Sequence, residues 1–383
     1  CVSSLNQLLA QIRLTTYNQK RIHKMGVNLM ARQCIRSTKA QLLGIFGVIL
    51  FLIGGAVGVE AVSQETYEPE IPLGLDEDAF KVPENNPMTK EKIELGLLLF
   101  FDKRMSENNT ISCSTCHIPT LAFTDGQPVS AGIHRQQGGR SAPTAINRGF
   151  SVVQFWDGRA PTLEDQSVGP LTNPIEHGFK DNDAVVARIN KIEGYKKLFN
   201  DAFGSSAITI QQVGKAIATF QRTLISGNSP FDKFDYDGDE KAISDSAKRG
   251  KKLFFDKARC NLCHFGTNFS DEKFHNVGIG WGGEGLDVGR YNVTKDKKDI
   301  GAFKTPTLRE ISRTAPYMHD GRFATLEEVV EHYNGGGIKN PFLDNQIIPL
   351  NLTDSEKQDI VEMLSSLNGE GWQNVQAPAS FPK

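Results

Sequence analysis

The pattern C-x-x-C-H occurs twice in the sequence, as CSTCH at Cys113 to His117 and as CNLCH at Cys260 to His264. In this pattern the two thiols add to the vinyl groups of a haem, and the histidine that follows is placed to bind the iron. A zinc knuckle and a redox dithiol are the alternatives, but neither explains a histidine directly after the second cysteine both times. The sequence therefore predicts two covalent haems c. Their attachment residues are Cys113, Cys116, Cys260 and Cys263, and their proximal iron ligands are His117 and His264.

An uncharged apolar run extends from Leu42 to Val59. It follows the basic residues Arg32, Arg36 and Lys39. This arrangement predicts export, with the rest of the chain in the periplasm. The length of the run lies between those of the two segment types, so we expect residues 1–61 to be either a cleaved signal or an inner-membrane anchor. Met25 or Met30 is a more suitable start than Cys1, which predicts a spurious upstream extension.

A short pattern, G-x-x-L-F-F-D-K, is repeated at Gly96 to Lys103 and at Gly250 to Lys257, and each copy runs into a C-x-x-C-H motif. A helix that leads into a haem-attachment loop twice favours two related domains over one domain with two sites. We expect a mainly α fold with two cytochrome c-like haem domains, related by this internal repeat, and long loops. The predicted division is a linker at 62–79, an N-terminal haem domain at 80–238 and a C-terminal haem domain at 239–372.

Periodicity and capping patterns predict several of the helices. Apolar residues recur at spacings of three and four from Asp183 to Phe199. Thr209 begins a capping box before Val213 to Ile225, and Thr353 begins another before Gln358 to Leu367.

The 383 residues include 43 basic and 45 acidic side chains. Because the charge is nearly balanced, no strong field points to a nucleic acid or an anionic membrane surface as a partner. We therefore expect no nucleic-acid partner. The composition is compatible with a homodimer.

The residues alone leave the sixth ligand of each iron open. His134, which follows the first motif, fits a ligand and an exposed loop histidine equally well. Met363 lies on the apolar face of a capped helix, a position more typical of core than of a ligand. The candidates after the second motif are His275, Met318, His319, His332, Tyr333 and Met363.

Four further strings occur in order around the two motifs, namely FWDGRAPTLEDQ, GPLTNPIE, KTPTLRE and APYMHDGRFATLEEVVEHY. In this order they resemble the bacterial di-haem cytochrome c peroxidase and MauG family, over about residues 80 to 370. The resemblance implies that the first haem reacts with peroxide and that the second transfers electrons.

The resemblance also implies roles for residues near the first haem. Glu176 is similar to the family's distal acid, which moves a peroxide proton to the leaving oxygen. Trp156 resembles the tryptophan between the two haems, and Gln154 and Pro170 belong to the distal surroundings. Without the resemblance, Glu176 is more typical of a solvated loop acid and Trp156 of core.

Two positions resemble sixth ligands of the family. His134 resembles the removable ligand that blocks the peroxide site in many of these peroxidases. Tyr333 falls where the peroxidases place a methionine on the second haem and where MauG has a tyrosine. A thioether raises the potential of the iron, whereas a phenolate stabilises its oxidised states. The alternative is that Tyr333 packs on its helix while Met318 or His332 binds the iron.

The family also binds a calcium ion between its domains. The backbone oxygens that the resemblance assigns to it match Thr314 and Pro316. Ser141 stands where the family has an asparagine ligand, so the side-chain contribution is altered.

The leading functional hypothesis is a periplasmic di-haem peroxidase, which reduces hydrogen peroxide to water with electrons from a small redox protein, cytochrome c or a cupredoxin. The first alternative is a MauG-like enzyme that oxidises residues of a partner protein through a Tyr333-ligated second haem. An electron carrier without enzymatic activity is a third hypothesis, from a different functional class.

Overall fold

The computed structural model describes residues 65–283 and 285–383, which belong to one compact unit. The predicted export segment at 1–61 lies outside the described residues. Within those residues, no helix combines the length and the apolar character needed to cross a bilayer.

The described residues are rich in helix and poor in sheet, which confirms the prediction of a mainly α fold. The helices are α1 Lys90–Phe101, α2 Cys113–Cys116, α3 Leu163–Val168, α4 Asn182–Asn190, α5 Glu193–Phe203, α6 Ile210–Gln221, α7 Pro230–Tyr236, α8 Asp245–Phe255, α9 Tyr291–Thr294, α10 Leu326–Asn334 and α11 Asp354–Ser365. Two short strands, β1 Phe274–His275 and β2 Phe303–Lys304, pair antiparallel. Short 3₁₀ turns lie at Glu77–Ala79, Lys103–Met105, Pro119–Leu121, Ile133–Arg135, Arg148–Phe150, Gly169–Thr172, Cys260–Leu262, Lys297–Asp299 and Ile311–Arg313.

The two copies of the G-x-x-L-F-F-D-K pattern form the helices α1 and α8, and each pattern glycine is a point of close packing. A Cβ atom on Gly96 would lie 2.0 Å from the carbonyl oxygen of Ala216 in α6. A Cβ atom on Gly250 would lie 1.8 Å from the carbonyl oxygen of Asp359 in α11. Any side chain at either position would push two helix backbones apart, so both copies require glycine for the same physical reason.

The buried apolar side chains form two large clusters. One includes Leu99 and Phe220, and the other includes Phe254 and Met363. The clusters do not follow the predicted boundary at residue 238, because Phe231 packs in the second cluster and Trp372 in the first. The division into two cytochrome c-like domains remains a prediction.

The described part of the predicted linker packs against the rest of the protein. Leu75 is buried with Phe150 and Ile225, and the backbone N–H of Tyr67 donates to the carbonyl of Met88. The apolar residues of this segment are therefore used in packing, so it does not behave as a spacer.

Local helix signals were predicted better than helix continuity. The capping boxes of Thr209 and Thr353 are both formed, which confirms these helix starts. The helical periodicity from Asp183 to Phe199 is confirmed, but it belongs to two helices, since α4 ends at Asn190 and Ile192 is extended, with φ −105° and ψ 97°. The N–H of Gly194 then donates to the carbonyl of Lys383, a distant contact that periodicity does not encode.

Candidate functional site

The first C-x-x-C-H motif lies on the short helix α2. Its first turn is fixed by Ser112, whose N–H donates to the hydroxyl of Thr115 over 3.0 Å. His117 follows this helix, and its Nδ1 lies 3.0 Å from the carbonyl oxygen of Phe123. A carbonyl partner requires the proton on Nδ1, so Nε2 keeps the lone pair that a metal needs.

The second motif reproduces this arrangement on a 3₁₀ turn. Nδ1 of His264 lies 2.8 Å from the carbonyl oxygen of Phe269. The N–H of Asp271 donates to the carbonyl of Cys263 over 2.8 Å and holds the end of the loop. Both imidazoles are therefore oriented for a metal by a backbone carbonyl five or six residues further along the chain.

Each motif lines a cavity. The first cavity, of about 420 Å³, is lined by Cys113, Cys116 and His117, and the second, of about 230 Å³, by Cys260, Cys263 and His264. Burial raises the pKa of the Cys113 and Cys260 thiols to about 12, whereas a redox dithiol needs a lowered thiol pKa. Neutral thiols beside an oriented imidazole fit covalent haem attachment in both cavities.

Glu176 lies in the wall of the first cavity. Burial raises its pKa, although the positive charge of Arg159 and a hydrogen bond from the amide of Asn173 to Oε1, at 2.7 Å, oppose the shift. Gln154, only 3% exposed, and Pro170 line the same cavity. The structure therefore brings together Glu176, Gln154 and Pro170, as the resemblance implied.

His177 and Arg159 also line the first cavity, and the sequence reasoning missed both. His177 is buried, with Nδ1 2.7 Å from the carbonyl oxygen of Met105, and burial lowers its pKa. Its position directly after Glu176 was the one available signal. Arg159 stacks on the ring of Phe155, with its guanidinium carbon 3.5 Å from the ring centre.

His134 is not brought to the first cavity. Its side chain is exposed and it does not contribute to the cavity wall. His134 and Arg135 are both exposed and both have positive φ, 54° and 60°. The role of His134 as a sixth ligand therefore remains a prediction that this arrangement of the loop does not support.

Trp156 lines both cavities. Its indole Nε1–H donates to the carbonyl of Ser141 over 2.9 Å, and its own carbonyl accepts from the N–H of Lys304 over 2.8 Å. These bonds fix an extended π system at the junction of the two cavities.

Tyr333, in the last turn of α10, lines the second cavity. The pKa of its phenol is raised by burial first and then by the two thiols of the motif, an effect that thioether formation would remove. Among the alternative ligands, His332 donates to the carbonyl of Val277 and Met363 is fully buried in the core, and neither lines the cavity. Met318 does line the second cavity and remains an alternative ligand. Two other candidates, His275 and His319, also line this cavity.

Those two histidines, His275 and His319, are held by other groups. His275 lies between Asp271 and Asp344, at 2.9 and 2.5 Å, and its hydrogen bond to Asp271 is the main cause that raises its pKa to about 11. Cys263, Asp271 and His275 are close enough to hold a metal ion, but Cys263 belongs to the haem-attachment motif. His319 stacks on Phe303, with 3.6 Å between ring centres.

The predicted calcium residues Ser141, Thr314 and Pro316 all line the second cavity. The N–H of Ser141 donates to the carbonyl of His319 over 2.7 Å, and its carbonyl accepts from Trp156. Calcium prefers six to eight oxygen ligands, including carboxylates. The nearby carboxylates of Asp157 and Asp287 are instead paired with Arg140, at 2.7 and 2.6 Å. The calcium site remains a prediction with a weak set of donors.

Two cavities, each with paired thiols and an oriented imidazole, are typical of a c-type haem protein with two haem sites. A family model described as di-haem cytochrome c peroxidase matches residues 90–241. The methylamine utilization protein MauG of Methylophilus methylotrophus is 40% identical over 305 residues, which cover 79% of this chain and 89% of that protein. The cytochrome c551 peroxidase of Nitrosomonas europaea is 38% identical over 287 residues, or 74% and 82% of the two chains.

A solved structure described as a MauG-like protein associated with microbial copper homeostasis is similar over 76% of this chain and 93% of its own. The TM-score is 0.71 and the sequence identity is 35%. The chain belongs to the di-haem cytochrome c peroxidase and MauG family, as the ordered motifs predicted. Membership implies two c-type haems, and it places the protein among haem oxidoreductases that transfer electrons.

Proposed function

We propose that the protein reduces hydrogen peroxide to water at the haem attached through Cys113 and Cys116, on the periplasmic side of the inner membrane. The observation that carries the proposal is the position of Glu176 in the wall of the first cavity, with a pKa raised by burial. When bound, the haem supplies the redox-active iron at which peroxide is reduced.

Glu176 would manage the protons of this reaction. Each peroxide consumes two electrons and two protons and yields two water molecules. The carboxylate takes the proton of the incoming peroxide and returns it to the departing oxygen, for which a carboxyl with a raised pKa is suited. Asn173 holds Oε1 through its amide, which fixes the orientation of the carboxyl group. Gln154 is a further polar side chain of the same wall.

The electrons would enter through the second haem, and Trp156 would lie on their route. Support comes from the contribution of Trp156 to both cavity walls, where hydrogen bonds at Ser141 and Lys304 hold it. A rigid indole between two redox centres lowers the barrier for electrons to cross.

Two electron sources are consistent with this route. A small redox protein, cytochrome c or a cupredoxin, would make the protein a cytochrome c peroxidase. Oxidisable residues of a partner protein would make it MauG-like, and the position of Tyr333 in the second cavity wall favours this source. A phenolate ligand lowers the potential of an iron relative to a thioether, which makes the second haem a poorer acceptor from a weakly reducing donor.

Rapid mixing of the purified di-haem protein with peroxide tests the proposal. We expect the spectrum of the first haem to change and peroxide to be consumed, faster in the wild type than in Glu176→Gln. Steady turnover with reduced cytochrome c or cupredoxin would identify the donor as a small redox protein. If neither the oxidised nor the reduced protein consumes peroxide, the electron-carrier hypothesis replaces this proposal.

A further inference from the structure

The wall that the two cavities share contains two cations, one buried and one half-buried. The residues that line both cavities are Ser141, Ala142, Pro143, Thr144, Arg148, Trp156, Lys304 and Pro306. Of these, Arg148 and Lys304 carry a charge. A cation in a largely apolar wall is stable only when an anion or several acceptors compensate it.

Lys304 has its own counterion. It is 4% exposed, and its ammonium lies 3.0 Å from Oε2 of Glu272. Glu272 is fully engaged, because it also accepts from the hydroxyl of Ser151 and from the N–H of Val152, over 3.2 and 3.1 Å. The pair of Lys304 and Glu272 is therefore neutral and has little acceptor capacity to spare.

Arg148 has no such counterion. Its Nε–H donates to the carbonyl of Ile146 over 3.3 Å, but Nη2 is buried and makes no hydrogen bond. Within residues 65–283 and 285–383, no carboxylate lies at ion-pair distance from it. Burial lowers the pKa of the guanidinium, and the charge of Glu272 opposes this shift only from a distance. The junction of the cavities thus holds one uncompensated positive charge.

A c-type haem brings the anion that is missing. Its vinyl groups are used in the thioether bonds, and its two propionates remain as carboxylates. A guanidinium is the side chain best matched to a carboxylate, through parallel hydrogen bonds. Because the haems are covalently attached in these two cavities, one propionate is the anion with the highest local concentration at Arg148.

We propose that Arg148 binds a propionate of one of the two haems and thereby holds up the reduction potential of that haem. A fixed cation favours the reduced iron, which carries one positive charge less than the oxidised iron. Anchoring of the cofactor is a role separate from peroxide reduction, and it can be measured without turnover.

The test is potentiometric titration of each haem in the di-haem protein, at several values from about pH 5 to about pH 8. We expect Arg148→Gln to shift one haem to lower potential. The freed propionate should also make that potential depend on pH, since it takes up a proton on reduction. Arg148→Lys, which keeps the charge, should stay close to the wild type. The haem that responds identifies the owner of the propionate.

Lys241→Gln is the matched control, because Lys241 is exposed and lies outside both cavity walls. Wild-type potentials in Arg148→Gln at every pH, or an equal shift in Lys241→Gln, would overturn the proposal. Potentials that vary with chloride concentration would also overturn it, by assigning the guanidinium to a free anion.

If Arg148→Gln does not mature, the wild-type protein provides a second measurement. Redox-difference infrared spectra with ¹³C-labelled haem propionates should show one carboxylate that remains ionised throughout the same pH range. Protonation of all the propionates within that range would contradict the ion pair. Because neither measurement involves peroxide, failure here and failure of the proposed function are distinguishable.

Discussion

The regions around Cys113–His117 and Cys260–His264 share one construction on the proximal side. In both, a buried thiol and an imidazole oriented by a phenylalanine carbonyl form one wall of a cavity. Each lies next to a helix whose pattern glycine packs against the backbone of another helix. The requirements of covalent haem attachment are thus met in the same way twice.

The remaining walls of the two cavities differ. The first contains Glu176, Gln154 and Arg159, which are side chains that can carry or orient protons. The second contains Tyr333 and Met318 among mostly apolar residues. Under the proposed function, the same attachment chemistry would be combined with proton management at the first site and with ligand-tuned electron transfer at the second.

Removing the attachment thiols would separate the two sites most strongly. We expect Cys113→Ala with Cys116→Ala to leave one covalent haem and to abolish the reaction with peroxide. Cys260→Ala with Cys263→Ala should also leave one haem, but retain a first haem that changes its spectrum with peroxide. Mass spectrometry counts the haems and stopped-flow absorbance follows the reaction. Retained peroxide chemistry in the first double variant would reverse the assignment of the two sites.

Glu176→Gln would test the proton chemistry of the first cavity. Loss of a positioned acid or base typically costs about 10²- to 10⁴-fold, and we expect a decrease of at least about 10²-fold in the rate with peroxide. Glu107→Gln is the control, since Glu107 is a nearby exposed carboxylate. A similar rate in both variants would exclude Glu176 from the reaction.

The same carboxyl predicts the pH dependence of that rate. Burial raises the pKa of Glu176, so its ionised form, which accepts the peroxide proton, is lost at a higher pH than for an exposed glutamate. The wild-type rate should therefore decrease as the pH falls through this raised pKa. The slower reaction of Glu176→Gln should lack this decrease, and a persisting decrease would assign the titration to another group.

Tyr333→Phe would sharpen the description of the second cavity without affecting the first. If the phenolate binds iron, the electron paramagnetic resonance and optical spectra of the ferric second haem should lose their phenolate features. Tyr317→Phe is the control within the same wall. It should lose only the hydrogen bond from its hydroxyl to the carbonyl of Ile311, worth about 1 kcal/mol. An unchanged second-haem spectrum in Tyr333→Phe would favour Met318 as the ligand.

Features that depend on short stretches of sequence were predictable, and features that depend on long-range packing were not. The attachment loops and the capping boxes of Thr209 and Thr353 rest on contacts within a few residues. Trp372 packs in the first core although it lies at the C-terminal end of the predicted second domain. No local pattern predicts this long-range contact.

The candidate site follows the same division. Glu176, Gln154 and Trp156 could be placed through the resemblance, because ordered motifs stand for a shared three-dimensional arrangement. His177 belongs to no recognisable sequence motif. Its place in the cavity wall depends on a hydrogen bond to Met105, which is distant in the sequence. The unpaired charge of Arg148 is likewise a property of the folded wall, since the sequence does not indicate which carboxylates lie near it.

His134 should give the smallest effect, and it tests whether the first cavity is closed by a removable ligand. In the structure it is exposed and absent from the cavity wall, with a positive φ of 54° that glycine adopts without strain. We therefore expect His134→Gly to leave the ferric spectrum of the first haem unchanged and to alter the free energy of unfolding by no more than about 0.5 kcal/mol. Arg135→Gly, at a neighbouring position with φ 60°, is the matched control. Only a side chain that binds the iron can change its spin state on removal. A change from a low-spin to a high-spin first haem in His134→Gly alone would therefore mean that the loop moves inward to bind the iron, as the family resemblance predicted.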